Sequence, residues 1–485
     1  MDSISNKSLK SQTLGAIFWS ATQKYGSMII LFISNIILAR LLSPSDFGLI
    51  GLLTIFVSLA NVISESGFNS ALIQRKDIED IDYNTVFYWN ISVSVILIII
   101  LYFSAPSLGE YFGRDELCPT LRVMSIIMLI NSLCTVQITR LMKLLRFKIL
   151  ALRTICAALI SSVIGILLAW YGFGVWALVW QSIFSSLIGA ILLWSCSGWT
   201  PALQYSWGSF RKMFKFGAYI FISSISNTLY ENLQSFIIGK SFSIRDLGFY
   251  TQAKKIETVP VEGTSSVLNA VLFPVYSSIA HDRERHINMV RKNINIITYI
   301  TFPLMLLLIV IAPDLFRILF TSKWDESIPM FQILCVFGMF TPLNIANTQI
   351  FRAIGEGKVF LILQTLKRLV GVMMILAFIQ FGLYAMLWSI AGFGILSYGL
   401  NLIFTDKVFG YSFKLQFKDI LPNLVISLMV FILCILLMKS LNLNNNWIGA
   451  SIGIIVFLCS YLLFSYIFKL KSLNLIITLI KERRK

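Results

Sequence analysis

Apolar runs that are long enough to cross a lipid bilayer recur along the whole chain, separated by short polar segments. At a rise of 1.5 Å per residue, a helix of about 20 residues crosses roughly 30 Å of hydrocarbon. We predict fourteen such spans, near residues 14–38, 47–63, 85–104, 118–136, 150–171, 173–194, 214–238, 253–274, 294–312, 328–348, 359–381, 383–405, 420–438 and 447–468. The strands of a membrane β-barrel are about ten residues long, so these runs exclude one. The pattern predicts an all-α integral membrane protein with about fourteen transmembrane helices.

Composition and charge agree with a membrane protein and give it an orientation. Hydrophobic residues make up 57% of the 485 positions and charged residues only 13%, too few for a water-soluble surface. If the N-terminus is cytoplasmic, 27 of the 40 Lys and Arg residues lie in inner segments, nine in outer segments and four inside helices. The positive-inside rule therefore predicts that both termini are cytoplasmic. Because the net charge of +17 is spread over short loops, we expect no nucleic-acid partner.

The residues that commonly bind metals show no such arrangement. None of the seven cysteines forms a CxxC pair, and His281 and His286 share one loop without a cysteine or a paired carboxylate motif. We expect no metal site and no cofactor.

Two stretches of sequence recur in the same order, which indicates an internal duplication. Residues 39–48, after the first span, match residues 239–248, after the seventh, at an offset of 200. The matched positions include Ser43 with Ser243, Asp46 with Asp246 and Gly48 with Gly248. Residues 174–180 similarly match residues 382–388.

The order of these two pairs of matching segments predicts a duplicated six-helix unit. Six is an even number, so both copies have the same orientation in the membrane. We expect a first lobe at 1–200, a second at 201–410, and a two-helix extension with a basic tail at 411–485. Parallel repeats of this kind are typical of alternating-access transporters, whose substrate site lies between the halves.

Charged side chains inside the predicted spans are the main functional signal. A charge at the centre of a membrane helix costs about 2.5–3.5 kcal/mol, so it usually faces a cavity or a partner. Lys24 lies near the middle of the first span, in a polar stripe with Ser20, Ser27 and Ser34, and Asn35 is adjacent to Ser34. The repeat relates it to a second stripe on the seventh span, formed by Ser224, Asn227, Glu231 and Gln234. Lys24 has three interpretations: it lines the lumen, it forms an ion pair with Glu231, or its side chain extends to the membrane interface.

A second pair of cations lies at depth in the eleventh span. Lys367 and Arg368 follow Gln364 by one turn, eight to nine residues into the helix. The positive balance inside the membrane favours an anionic ligand such as a diphosphate. We predict that Lys24, Lys367 and Arg368 hold the diphosphate. The polar residues that we expect to line the lumen with them are Ser27, Asn35, Asn227, Glu231, Gln234 and Gln364.

Four segments of the N-terminal half carry a family resemblance: residues 38–48, 65–74, 84–90 and 172–179. Through them the chain resembles polysaccharide exporters of the Wzx type, in the colanic-acid and teichuronic-acid branch of the multidrug/oligosaccharidyl-lipid/polysaccharide (MOP) superfamily. The similarity is strong over about residues 13–200 and is one of topology beyond them.

This resemblance implies both a fold and a function. The fold would be two six-helix lobes in a V, as in the multidrug transporters of the superfamily, with extra C-terminal helices. The function would be flipping of undecaprenyl-diphosphate-linked oligosaccharide, a repeat unit of lipopolysaccharide O-antigen, capsule or exopolysaccharide, across the bacterial cytoplasmic membrane. The polymerase and glycosyltransferases of the same pathway would be partners, besides membrane lipid.

Two other functions remain open from the residues. A cation-coupled multidrug exporter on the same fold would need essential buried acids, for which Glu231 is the best candidate. A membrane glycosyltransferase, polymerase or ligase usually carries a large extracytoplasmic loop or a catalytic cluster of Asp, Glu and His. The sequence has neither, so we expect no enzyme.

Overall fold

The computed structural model describes residues 6–75, 77–441 and 445–483, and this part of the chain folds into seventeen α-helices. They are α1 (Asn6–Leu41), α2 (Pro44–Glu65), α3 (Phe68–Gln74), α4 (Asp80–Phe112), α5 (Leu117–Met124), α6 (Ile126–Lys143), α7 (Phe147–Trp170), α8 (Val175–Cys196), α9 (Trp207–Ser241), α10 (Ile244–Ser278), α11 (Arg283–Phe320), α12 (Ser327–Ala353), α13 (Gly357–Phe378), α14 (Leu383–Phe409), α15 (Phe413–Leu441), α16 (Asn446–Ile467) and α17 (Lys471–Arg483). Short 3-10 turns at Ser322–Trp324 and Ile379–Phe381 precede α12 and α14.

Every predicted span corresponds to a helix of this structure. The fourth span is formed by α5 and α6 together, which meet at Ser125 in a helical conformation. Twelve of the described helical segments are long and apolar enough to cross a membrane. The predicted fold class, an all-α multi-pass membrane protein, is confirmed, and fourteen spans are compatible with the helices observed. The sequence analysis did not predict α3 and α17, which are 7 and 13 residues long.

Two helices, α9 and α10, have the length of a membrane span but not its composition. Each contains 35 residues, about 50 Å of helix, which exceeds the thickness of the hydrocarbon. Neither is among the twelve apolar spans, because polar residues interrupt both along their length. A span-length helix that is too polar to face lipid on all sides must turn its polar side toward protein or water.

The chain divides into two compact units, Met1–Gly248 and Phe249–Lys485, with the boundary inside α10. In the first unit α1 packs on α7, α7 on α8, and α9 on α2, α3 and α4. In the second unit α11 packs on α12, α15, α16 and α17, and α14 packs on α12 and α13. The division into lobes at residues 200 and 410 stays a prediction.

The two turns that the sequence repeat relates have the same hydrogen bonds. At the start of α2, the Ser43 N–H donates to Asp46 Oδ2 (2.8 Å), and the Asp46 N–H donates to Ser43 Oγ (3.3 Å). The matching bonds of Ser243 and Asp246, at the start of α10, measure 3.1 and 3.0 Å. Both are capping boxes, which satisfy amide groups that the first turn of a helix leaves without partners.

Within the first unit these two turns also pack against each other. Gly48 lies against the carbonyl oxygen of Ile244, and Gly248 lies against the carbonyl oxygen of Pro44. The contact is reciprocal, since positions 44 and 48 meet positions 244 and 248. A side chain at either glycine would overlap the opposite backbone, so the repeat keeps glycine for close approach.

Polar contacts tie α15 and α16 to α11. Arg291 Nε and Nη2 donate to Asp419 Oδ2 and Oδ1 at 2.7 and 2.9 Å, and the Tyr411 hydroxyl donates to Asp419 at 2.7 Å. Asn423 Nδ2 donates to Thr298 on α11 at 2.8 Å, and the Tyr461 hydroxyl of α16 donates to the Tyr299 carbonyl at 3.0 Å. Polar bonds in an apolar environment fix the position of a helix because breaking them leaves buried groups without partners.

Candidate functional site

One face of α9 is polar and exposed in the first unit. Ser223, Asn227 and Glu231 are exposed and follow one another at intervals of four residues, so they lie on one side of the helix. Asn227 Nδ2 donates to Glu231 Oε1 at 2.7 Å, which joins two of the predicted lumen residues. On the packed side, Asn232 donates to Ser58 of α2 at 3.3 Å. The packed face therefore fixes the rotation of α9, and the other polar face is exposed.

Two polar contacts likewise fix the rotation of α1. Gln23 Nε2 donates to Thr154 of α7 at 3.0 Å, and Gln181 Nε2 of α8 donates to Ser34 at 3.0 Å. Lys24, one residue beyond Gln23, is exposed. An adjacent residue is turned by about 100° on a helix, so Lys24 lies to one side of this packed face.

The other two residues predicted on α1 are half-buried. The Ser27 hydroxyl donates to the Gln23 carbonyl at 2.7 Å, a bond within the helix, and Asn35 lies two to three turns further on. Gln234, the third residue predicted on α9, is also half-buried.

The three residues predicted on α13 have different environments. Gln364 and Arg368 are half-buried, whereas Lys367 is buried. Lys367 belongs to a buried row at four-residue spacing with Leu363, Gly371 and Ile375. The row identifies the side of α13 that packs against its neighbours, so Lys367 points into the second unit.

The structure thus brings the predicted residues together in three local groups. The first is Lys24, Ser27 and Asn35 on α1, the second is Asn227, Glu231 and Gln234 on α9, and the third is Gln364, Lys367 and Arg368 on α13. Within the second group Asn227 donates to Glu231, and within the first group the Ser27 hydroxyl donates to the Lys24 carbonyl at 3.2 Å.

A buried acid on α10 escaped the sequence analysis. Glu257 is 5% exposed, and its Oε1 has no hydrogen-bond partner among the described residues. It lies against Gly338 of α12, where a Cβ atom would be 2.7 Å from Oε1. Charge spacing alone does not show which side of a helix is covered, so the burial of Glu257 could not be predicted from the sequence.

The sequence analysis also did not predict a polar seam between α12 and α14. Asn344 Oδ1 accepts from Ser397 Oγ at 3.1 Å and from Asn401 Nδ2 at 2.6 Å. Asn347, one turn beyond Asn344, is fully buried. The signal was present in the four-residue spacing of Ser397, Asn401 and Thr405. These residues are uncharged, however, and such residues occur in many membrane helices.

Among the described residues no three His, Cys, Asp or Glu side chains are grouped as a metal site would require. The predicted site residues offer a ligand cations, amides, a hydroxyl and the carboxylate of Glu231. Such groups hydrogen-bond to phosphate oxygens and to sugar hydroxyls.

Comparison with known families identifies the chain. The family described as "polysaccharide biosynthesis protein" matches residues 37–329, which is more than half of the sequence. The chain belongs to this polysaccharide biosynthesis protein family. The predicted resemblance to polysaccharide exporters is confirmed.

Characterised relatives of this family member are named for polysaccharide biosynthesis. The succinoglycan biosynthesis transport protein ExoT of Rhizobium meliloti (strain 1021) is 27% identical over 342 residues, covering 70% of this chain and 69% of that protein. The lipopolysaccharide biosynthesis protein WzxC of Escherichia coli (strain K12) is 24% identical over 68% of both chains. The teichuronic acid biosynthesis protein TuaB of Bacillus subtilis (strain 168) is 24% identical over 72% of this chain and 73% of its own.

Solved structures show the fold of the family member. The lipid II flippase MurJ in an inward closed conformation matches with a TM-score of 0.74 and 18% identity, over 93% of this chain and 98% of MurJ. An inward-facing multidrug resistance MATE transporter of the MOP superfamily matches with a TM-score of 0.61 and 16% identity, over 79% of this chain and 94% of its own. The predicted MOP fold is therefore confirmed.

Proposed function

We propose that this chain is a flippase for polyprenyl-diphosphate-linked oligosaccharides, working by alternating access. The substrate would be an undecaprenyl-diphosphate-linked repeat unit of a lipopolysaccharide, capsule or exopolysaccharide. The protein would lie in the bacterial cytoplasmic membrane with both termini in the cytoplasm, beside the polymerase and glycosyltransferases of its pathway. It would catalyse no covalent step.

The observation that carries this proposal is the character of α9 and α10. Both are long enough to span the membrane, yet both are too polar to face lipid on every side. A transporter for a sugar needs such a surface, because sugar hydroxyls lose their hydrogen bonds to water when they enter the hydrocarbon. Family membership and the MurJ-like fold support the same conclusion.

The roles of single residues follow from charge and exposure. Lys24 is exposed and Arg368 half-buried, and the positive charge of each would bind the diphosphate by charge-assisted hydrogen bonds. Asn227, Gln234 and Gln364 would bond sugar hydroxyls, as would Asn35. Lys367, which is buried, is predicted to bind the diphosphate as well.

Reconstitution tests the proposal. Purified protein is placed in liposomes that contain a polyprenyl-diphosphate oligosaccharide, and an external glycosidase reports how fast the inner-leaflet pool becomes accessible. We expect faster access than in empty liposomes, and a loss of at least tenfold in the Lys24→Gln, Arg368→Gln double variant. Lys358→Gln, at an exposed lysine in the first turn of α13, is the matched control. Equal rates for the double variant and the wild type would refute the assignment of these two cations.

One observation favours a second candidate function, a cation-coupled multidrug exporter. Such a protein needs a buried acid, and the buried acid of the described residues in α9 and α10 is Glu257, whereas Glu231 is exposed. The same liposomes decide between the two. Uptake of small organic cations driven by a proton or sodium gradient, without flipping of any lipid-linked glycan, would replace the first proposal.

A further inference from the structure

His286, in the first turn of α11, is a fully buried histidine whose ring makes no hydrogen bond. Its Nδ1 and Nε2 atoms are both buried without a partner among the described residues. A neutral imidazole has one N–H donor and one acceptor, so two polar groups are unsatisfied here. A proton would add a charge and turn the acceptor into a second unsatisfied donor, which is a much larger penalty in a buried place. The packing around His286 therefore suits the neutral ring alone.

The ring of His286 lies between the ends of two other helices of the second unit. Its centroid is 5.1 Å from that of Tyr276, two residues before the end of α10, and 4.7 Å from that of Phe409, the last residue of α14. Both of these aromatic residues are buried. His286 thus joins the ends of α10 and α14 to the start of α11, at the end of this unit that we predict to face the cytoplasm.

The other polar bonds of this junction do not respond to pH near neutrality. Arg283 Nε donates to the Phe409 carbonyl at 3.1 Å, and Asn293 Nδ2 donates to the Tyr276 hydroxyl at 3.2 Å. Arginine stays charged and a tyrosine hydroxyl stays neutral between pH 5 and 8, whereas histidine changes its charge there. Among the side chains that these bonds and ring contacts join, His286 is the titrating group.

The charges nearest to the ring disfavour its protonation. Arg283 and Arg285 are in the same turn of α11, and the N-terminus of a helix also carries a partial positive charge. The carbonyl end of α14 would attract a cation, but it already accepts from Arg283. From α10 the ring meets the phenol of Tyr276, which is uncharged.

The acids of the adjoining segments do not bond to His286 either. Asp282 accepts from the Arg285 N–H, and Asp406 in the last turn of α14 accepts from the Phe413 N–H. Asp419 of α15 is paired with Arg291. The remaining charged neighbours in the chain, Glu284 and Lys407, are exposed. No described carboxylate is therefore placed to stabilise an imidazolium at this position.

We propose that His286 is an acid-sensitive latch: the neutral ring holds the ends of α10 and α14 against the first turn of α11, and its protonation releases them. Once the junction opens, water can solvate the charged ring, so the open form binds a proton more readily than the closed one. Opening is then favoured as the pH falls through the ordinary range of histidine, near pH 6.5, and the closed form is favoured above it. The latch requires no substrate, so it does not depend on the proposed function.

Hydrogen exchange of the purified full-length protein in detergent tests the latch between pH 5.5 and 8. After correction for intrinsic exchange, we expect peptides from the last turns of α10 and α14 to lose protection as the pH falls, by up to about tenfold per pH unit, the limit for one proton. His286→Phe keeps an aromatic ring without a titrating nitrogen and should remove this dependence. The chain has one other histidine, His281, which is exposed. His281→Phe is the matched control and should behave as the wild type does.

Two results would overturn the proposal. One is protection of these peptides that does not change with pH in the wild type, or that changes equally in His286→Phe. The other comes from NMR of the wild type with labelled histidine, which needs no variant of His286 to fold, since His281→Phe assigns the two signals. We expect the His281 signal to titrate while His286 stays neutral until protection is lost. A His286 signal that titrates together with that of His281 at full protection would show that the closed junction accepts the proton. Because neither experiment measures flipping, failure here leaves the liposome assay unaffected.

Discussion

The reciprocal glycine contact between the starts of α2 and α10 gives a sharp structural prediction. Replacing Gly48 or Gly248 by alanine adds a methyl group where the opposite backbone passes. At Gly48 the new Cβ would be 2.9 Å from the Ile244 carbonyl carbon, and at Gly248 it would be 2.7 Å from that of Pro44. Carbon atoms in contact are normally about 3.5–4.0 Å apart. The carbonyl oxygens of Ile244 and Pro44 would be closer to the new methyl groups than these carbons are, so the two turns would have to separate by more than about 1 Å.

The expected cost combines two opposing effects. Overpacking of this kind destabilises by about 1–3 kcal/mol. Alanine in place of a helical glycine raises the free energy of unfolding by roughly 0.5–1 kcal/mol, because it reduces the entropy of the unfolded chain. We therefore expect each single variant to lose about 1–2 kcal/mol. Both glycines lie at the same contact between the two turns. Once the first substitution has moved the turns apart, the second methyl group overlaps less, so the double variant should lose less stability than the two single variants together.

Thermal unfolding of the purified protein in detergent is the assay. Gly399→Ala is the matched control, since Gly399 is in α14 and a Cβ there would meet no atom within 4 Å. This control should unfold at or above the temperature of the wild type. Single variants that are as stable as the wild type, or strictly additive losses in the double variant, would refute the idea that the two turns share one close contact.

Two further predictions concern stability. Asp419→Asn should lower the free energy of unfolding by about 3 kcal/mol, because Arg291 would keep a charge without its carboxylate; Asp325→Asn, in the more exposed pair with Arg317, should lose less than 1 kcal/mol. Ser243→Ala removes the cap of α10 and should cost about 1 kcal/mol, whereas Ser440→Ala at an exposed helix end should cost little. Thermal unfolding in detergent measures both, and equal losses for a variant and its control would contradict the respective argument.

The sequence determined the fold class because the membrane constrains composition so strongly. Backbone groups in hydrocarbon must bond within their own segment, so each long apolar run can only be a helix. The repeat was also visible in the sequence. Asp46 and Asp246 are matching polar residues at a turn, and such a match arises by chance less readily than a match between apolar residues of two membrane helices. Their identical capping boxes confirm that the two segments are structurally equivalent.

Tertiary structure decided which charges are covered. Lys367 and Arg368 are adjacent in the sequence and have similar depth, yet one is buried and the other half-buried because neighbours on a helix point about 100° apart. Glu231 and Glu257 are both acids in polar helices, but only Glu257 lies against a glycine of a packed helix. The environment of a charge depends on the rotation of its helix and on the residues opposite, and these are set by packing between segments far apart in the chain.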